Sequence, residues 1–379
     1  MTTKDIAEIR RRFRPEKTSI SRIRGCFVNE AHQISATFNQ SLGLMREEET
    51  EELLSILRKV LSGTQNKNLH PVAFSTAQVL EGEHHRRLTT LRDTALEDEA
   101  AVTALYEAVI ANTAIEGSYM ILLAADSYDY SGYRADGEKD EDSTKTFHYF
   151  VCALCPIKQT RPALGYLAEE NRFCSLTGDQ VIGAPALGFM FPAFDRRAAN
   201  IYEALYYTRD TADNHTDFVS AVLDGELPPP AAVQKETFAS VLAESVGEAC
   251  SYEVAQTVHE QICVLAEFKP ATRDEEDERP MVSKRMITGL LEDCGVDEPH
   301  VTAFGENYDR AFGVGTELPP ANLVDKKRFD VTTPDVVIRV KPEASDLVQT
   351  RIIDGEKYIM IRAEAGVEVN GFPIRIGEE

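Results

Sequence analysis

No apolar run long enough to cross a bilayer occurs in the 379-residue chain, which excludes an ordinary transmembrane helix. Met1–Arg14 is charged and lacks an apolar h-region, so it does not read as a secretory signal. The phosphate-loop pattern G-x-x-x-x-G-K-[ST] is missing, as are a strand-following G-x-G-x-x-G, the G-x-S-x-G elbow and the H-E-x-x-H zinc helix. The chemistries that announce themselves by these motifs therefore have no support in the sequence. Cysteine is present in an odd number, seven, in a chain without a signal. That pattern gives no disulfide framework and points to reduced thiols acting as small hydrophobes.

What is present suits a folded soluble protein. Hydrophobic residues make up 43% and charged residues 27%, enough apolar surface to bury a core. The length is a prior for two or three domains. The formal charge is −23, and it is uneven. Residues 1–24 hold eight basic and three acidic side chains, a net +5, and the remainder carries −28. Such an acidic body opposes broad wrapping by nucleic acid. A local basic patch still acts at short range, because distant charges are screened within ~10 Å.

Hydrophobic periodicity outlines the elements. Ile23–Val28 and Ile34–Phe38 read as short strands. Glu47–Leu61 is an amphipathic helix with acids in its first turn, Arg58 and Lys59 in its last, and Gly63 beyond. Thr76–Arg92 and Asp98–Asn112 read as two more helices. Tyr119–Ala125 and Phe147–Ile157 read as strands joined by an acidic loop, Arg134–Lys145. Gly188–Phe194 is a further strand, and Ile201–Thr208 is either a strand or the start of a helix. After Pro228-Pro229-Pro230 come helices at Val233–Val246 and Tyr252–Ala266. Lys269–Met281 reads as a linker, with five acids and two prolines. Two helices, Lys284–Asp293 and His300–Phe312, precede short strands at Val336–Val340, Leu347–Ile353, Lys357–Ala363 and Val367–Ile376. Asp354-Gly355 marks a hairpin among them. The expected fold is α+β, with a mixed central sheet, helices and a small C-terminal β unit. The expected regions are 1–114, 115–268 and 282–379.

Several residue groups could carry chemistry. Cys152-Ala-Leu-Cys155 has metal-ligand spacing, but no second pair exists, and on a strand the two thiols point to opposite faces. His84 and His85 are neighbours on a helix, so they do not share a face for a metal. Asp126, Asp129, Asp210 and Asp213 follow apolar strands, where carboxylates either hold a divalent ion or simply make turns. Two basic clusters remain: Arg10-Arg11-Arg12-Phe13-Arg14, and Arg196-Arg197 in a turn between apolar segments. Guanidinium forks in such places suit phosphate.

The whole chain resembles an uncharacterised bacterial family known only as a domain of unknown function. The segments that carry this are Ile9–Lys17, Arg24–Asn29, Gly188–Asp195 and Ala204–Asp210. A fainter resemblance, in order of elements over residues 115–376, is to the bacterial nucleoid-associated proteins. It rests on the strand pair Tyr119–Ala125 and Phe147–Ala153, the Arg196-Arg197 turn, and the closing β unit with Gly366-Val367-Glu368-Val369. That resemblance implies a non-enzymatic, DNA-associated protein. The expectation is therefore a cytoplasmic, nucleoid-acting homodimer that takes double-stranded DNA without regard to sequence and needs no cofactor, metal or membrane. Arg196 and Arg197 would contact phosphates, with Arg10, Arg11, Arg12 and Arg14 as auxiliaries. One alternative is a metal-dependent phosphodiesterase using Asp126, Asp129 and Asp210. The other is an acidic scaffold for a basic protein.

Overall fold

The computed structural model describes the whole chain except residues 134–138, 161–162, 168, 170, 177–178, 269–279, 326–328, 364–365, 370–371 and 375–379. It forms two units, which divide near Ala231.

The first unit begins with α1 (Thr3–Arg10), β1 (Arg22–Val28), β2 (Ile34–Ser41) and α2 (Glu47–Arg58). There follow β3 (Leu69–Ala73), α3 (Thr76–Glu81), α4 (Glu83–Asp93) and α5 (Glu99–Ala111). Two long strands, β4 (Tyr119–Tyr133) and β5 (Lys139–Gln159), lead to short β6 (Ala163–Leu167), β7 (Arg172–Leu176) and β8 (Gln180–Ile182). The unit closes with β9 (Leu187–Phe191), β10 (Ala193–Asp195), β11 (Ala198–Asn200), β12 (Glu203–Thr208) and α6 (Thr216–Leu223). An eight-stranded sheet runs in the order β2-β1-β4-β5-β9-β12-β3, with β8 also paired to β5. All of its pairs are antiparallel. With helices on both faces the fold is α+β.

Both sides of the central strands are covered, which explains their near-continuous apolar runs. Ile121, Leu123, Phe150, Cys152 and Leu154 join one core with Leu88, Leu105 and Val222 of α4, α5 and α6. Leu122, Ala124, Tyr149, Val151 and Cys155 join the other with Ile6, Ile9, Leu54 and Leu57 of α1 and α2. Cys152 and Cys155 thus enter opposite cores as free thiols. Burial pushes the Cys155 thiol up to about 12, so neither a thiolate nucleophile nor a metal ligand is on offer.

Some expectations shift on contact with the structure. Strands from residues 1–114 interleave with those after 115 in one sheet, so no break in packing falls at that boundary. The expected helix Thr76–Arg92 is two helices, because Gly82 is extended and a Cβ there would lie 2.5 Å from the Gln78 carbonyl. Ile201–Thr208 resolves as strand β12, held between β9 and β3. Part of the expected acidic loop, from Lys139, continues β5, and residues 134–138 lie outside the described set. His85 is buried with its Nε2 2.9 Å from the Ile201 carbonyl, so it belongs to the core and not to a solvated face.

In the second unit, helices Ala231–Val246, Tyr252–Ala266, Lys284–Asp293 and Glu298–Phe312 share one core through Phe238, Val258, Ile262, Ile287, Leu291 and Phe304. The region expected to begin at 282 therefore packs with helices expected in the region before it. Three hairpins follow, at Phe329–Val340, Val348–Ile361 and Val367–Ile374. The Asp354-Gly355 turn has both residues left-handed, as a two-residue hairpin turn requires.

Candidate phosphate-binding site

The N-terminal arginines are placed by the apolar residues between them. Ile6, Ile9 and Phe13 are buried, and Phe13 packs its ring edge on Tyr149 with centroids 6.5 Å apart. With these three anchored, Arg10, Arg11 and Arg14 are left on the outside and Arg12 is turned inward. Arg14 shares an open groove with Glu16, Glu48, Glu51 and Glu52, which weakens its field toward an anion.

Arg12 is the hub of a buried network. Its Nε lies 3.3 Å from Asp126 Oδ2 and its Nη2 donates to Ser19 Oγ at 2.9 Å. Its guanidinium stands over the Tyr128 ring, 5.2 Å from the centroid. Asp126 also accepts the Ser19 amide at 2.9 Å and the Tyr149 hydroxyl at 2.7 Å. Burial, and then the Asp126 charge, push the Tyr149 phenol well above its ordinary range, so it stays a proton donor to the carboxylate.

The Arg196-Arg197 turn joins β10 to β11, with both arginines left-handed at φ 47° and 54°. The two arginines have different surroundings. Arg197 Nη1 is 2.7 Å from Glu8 Oε1, and its Nε donates to the Ser131 carbonyl at 3.3 Å. Glu8 also accepts the Tyr128 hydroxyl at 2.7 Å. The Arg196 side chain is exposed while its amide donates to Asp5 Oδ2 at 3.4 Å. Arg12 and Arg197 therefore meet on one face, through Tyr128 and Glu8, but their guanidiniums serve the fold. The carboxylates of these two pairs are themselves largely buried, Asp126 at 1% and Glu8 at 17% exposed, so an incoming anion could not release them to water.

The aspartates of the metal alternative are dispersed in role. Asp126 and Asp129 lie inside β4 and not at its end, because β4 keeps pairing with β5 as far as Tyr133. Three residues apart on a strand, they point to opposite faces. Asp129 takes the Thr146 hydroxyl at 2.6 Å. Asp210 takes the Ala212 amide at 2.8 Å and Asp213 the His215 amide at 2.7 Å, the turn-forming use of these residues. Among the described residues no group of three or more His, Cys, Asp or Glu is placed to hold a metal.

The structure brings forward a different cation set. A pocket of about 320 Å³ opens beside the Arg12–Asp126 pair, with Ser19, Arg22, Arg24, Arg92, Glu97, Asp126 and His148 in its lining. Arg22 and Arg24 come from β1, two residues apart and so on one side of it. Arg92 comes from the last turn of α4. Arg24 is held by the Leu96 carbonyl at 2.5 Å and by Glu99, and Arg92 by Asp93 at 2.6 Å, but both of these carboxylates are exposed and can turn to solvent when an anion competes for the arginines. Leu96 can offer that carbonyl because Ala95 and Leu96 turn left-handed after α4. Arg22 is exposed and has no hydrogen bond or ion pair among the described residues. Three guanidiniums, serine hydroxyls and an imidazole line this cavity together with the Glu97 and Asp126 carboxylates, and Arg22 is the guanidinium most open to an oxyanion.

Comparison with known families adds one match. The family description "Domain of unknown function (DUF4317)" fits residues 1–372. The chain belongs to this family. No curated protein and no solved structure matches it. The whole-chain resemblance read from the sequence is thereby shown, and the likeness to nucleoid-associated proteins is not. No helix among the described residues is long and apolar enough to cross a membrane.

The pocket is assembled from residues far apart in the chain. Arg22 and Arg24 were legible as a same-side pair within the +5 segment. Arg92 was not, since it is distant in sequence and arrives only when α4 packs on the sheet.

Proposed function

We propose that this family member is a non-enzymatic DNA-associated protein that takes the phosphate backbone at the Arg22–Arg24–Arg92 pocket, with exposed Arg10 and Arg11 as auxiliary contacts. The observation that carries the reading is the convergence of three arginines, from two separate elements, on one pocket where they outnumber the lining carboxylates Glu97 and Asp126, in a chain of charge −23. With the surrounding body acidic, the local cluster has to supply the attraction. Two to four phosphate contacts give a log–log salt slope of roughly −2 to −4 per protomer, and a homodimer would present two such sets. Contacts confined to phosphates leave the protein indifferent to base sequence.

A mobility-shift titration against salt, with double-stranded DNA of two unrelated sequences, tests this. Replacing Arg22 and Arg92 together by Ala is expected to weaken both complexes equally and to reduce the slope by up to about two. Arg14→Ala is expected to change little, because Arg14 faces glutamates. Failure to associate at about 50 mM salt, or an unaltered slope in the double variant, sinks the proposal and leaves the acidic-scaffold reading.

A further inference from the structure

The two edges of the large sheet are unlike. At one edge, β3 is five residues long and carries the exposed Pro71, a combination that discourages further pairing. At the other, β2 is eight residues long, Ile-Ser-Ala-Thr-Phe-Asn-Gln-Ser, with no charge, proline or glycine. Among the described residues nothing pairs with its outer side. The Leu42 amide donates to the Ser21 carbonyl at 2.9 Å, which sets the phase of the β1–β2 ladder. By strict alternation Phe38 and Gln40 bond to β1, so Thr37 and Asn39 direct their N–H and C=O groups outward.

Beside this edge, between β2 and α2, lies an apolar cleft of about 360 Å³. Phe38, Met45, Leu53, Ile56, Met120 and Val181 line it. Phe38 reaches its wall because Gly25 opposite has no Cβ to block the ring. The rim is acidic, with Glu49 and Glu52 at the cleft and Glu48 and Glu51 next to them on α2.

We propose that the β2 edge and this cleft take an extended peptide segment of a partner protein, which adds a strand to the sheet. The segment has an apolar side chain for the cleft and Lys or Arg beside it for the α2 carboxylates. Main-chain bonds to Thr37 and Asn39 would supply affinity, and the cleft and rim would supply selectivity. Charge argues against a second copy as occupant, since two-fold pairing would bring both acidic α2 turns toward one seam. This surface uses different residues from the arginine pocket, so its test is independent of DNA binding.

The probe is a fluorescein-labelled peptide of alternating Lys and Val with a central Leu, followed by anisotropy against the full chain. Saturable binding is expected. Asn39→Pro is expected to weaken it at least tenfold without altering the thermal midpoint, because the lost N–H points outward. Glu52→Lys is expected to weaken it severalfold. The same peptide methylated on alternate backbone nitrogens is expected not to bind, and this arm does not depend on any variant folding. Equal binding of the methylated peptide would reduce the interaction to charge alone and overturn the proposal. Equal binding by Asn39→Pro protein would do the same. A dimer of the unliganded chain that Asn39→Pro dissociates would assign the edge to a second copy instead.

Discussion

Arg197 shows how little residue type says about role. It sits in a two-residue turn, where exposed charge is the ordinary expectation, yet its side chain is 13% exposed and Glu8 opposite is 17% exposed. Arg197→Ala removes the guanidinium from the Glu8 carboxylate and from the Ser131 carbonyl, a loss of about 1–3 kcal/mol in urea denaturation. Arg10→Ala is expected to leave the denaturation midpoint where it is, because Arg10 is exposed and without partners among the described residues. His70 gives a second residue-scale prediction. It is 1% exposed and stands opposite Tyr206 in the β3–β12 pair. Burial, opposed by the Lys67 backbone, holds its imidazole below the usual histidine range. A group with a depressed folded pKa binds its proton more readily in the unfolded chain. Its contribution is therefore intact above about pH 6.5 and is lost as pH falls below that. Unfolding free energies at pH 7.5 and 5.5 should differ less in His70→Leu than in the parent chain. An equal difference in both proteins would show that His70 is not a source of the acid sensitivity.

At the scale of elements, close approach matters more than propensity. Gly25 lies in the middle of β1, where glycine is intrinsically unfavourable. A Cβ there would collide with the Ile121 carbonyl on one neighbouring strand and the Phe38 ring on the other. Gly25→Ala is expected to cost about 1–3 kcal/mol by overpacking, read as a lowered denaturant midpoint. It should also disturb the cleft beside α2, since the Phe38 ring is the part able to move. A midpoint within error of the parent would mean that β1 and β2 can separate freely. The break between α3 and α4 has the same character. Glutamates, good helix formers, stand on either side of Gly82, but residues 81–87 carry no apolar side chain, so the apolar stripe lapses between Leu80 and Leu88. The backbone stays extended at Gly82, and His85 then turns its ring against Phe74 and Phe191.

At the scale of the molecule, Lys269–Met281 illustrates how sequence organisation and packing diverge. Its acids, prolines and lack of apolar period mark it, with Arg134–Lys145, as one of two expected first sites of limited proteolysis. The helices before and after it share one core, however. A single cut there should give two bands on a denaturing gel and one peak in native size-exclusion chromatography. Two separate native peaks would mean that the shared core does not hold the pieces. The same divergence governs charge. The −23 total describes how the chain repels a distant polyanion, while the pocket of Arg22, Arg24 and Arg92 describes what a phosphate meets on contact.

Much of the element map was determined by local pattern. Tyr252–Ala266 and Lys284–Asp293 were legible to the residue, because amphipathic period is a property of neighbours in sequence. The reduced state of the cysteines and the opposed faces of Cys152 and Cys155 followed from count and strand period in the same way. The arginine clusters were equally visible as clusters. Only the tertiary structure decided their duties, since Glu8, Asp126 and the glutamates of α2 are brought to them by folding and not by spacing. The pocket at Arg92 and the open edge of β2 share that origin. Each depends on which strands and helices become neighbours, and a strand's own residues do not state whether a partner lies on its far side.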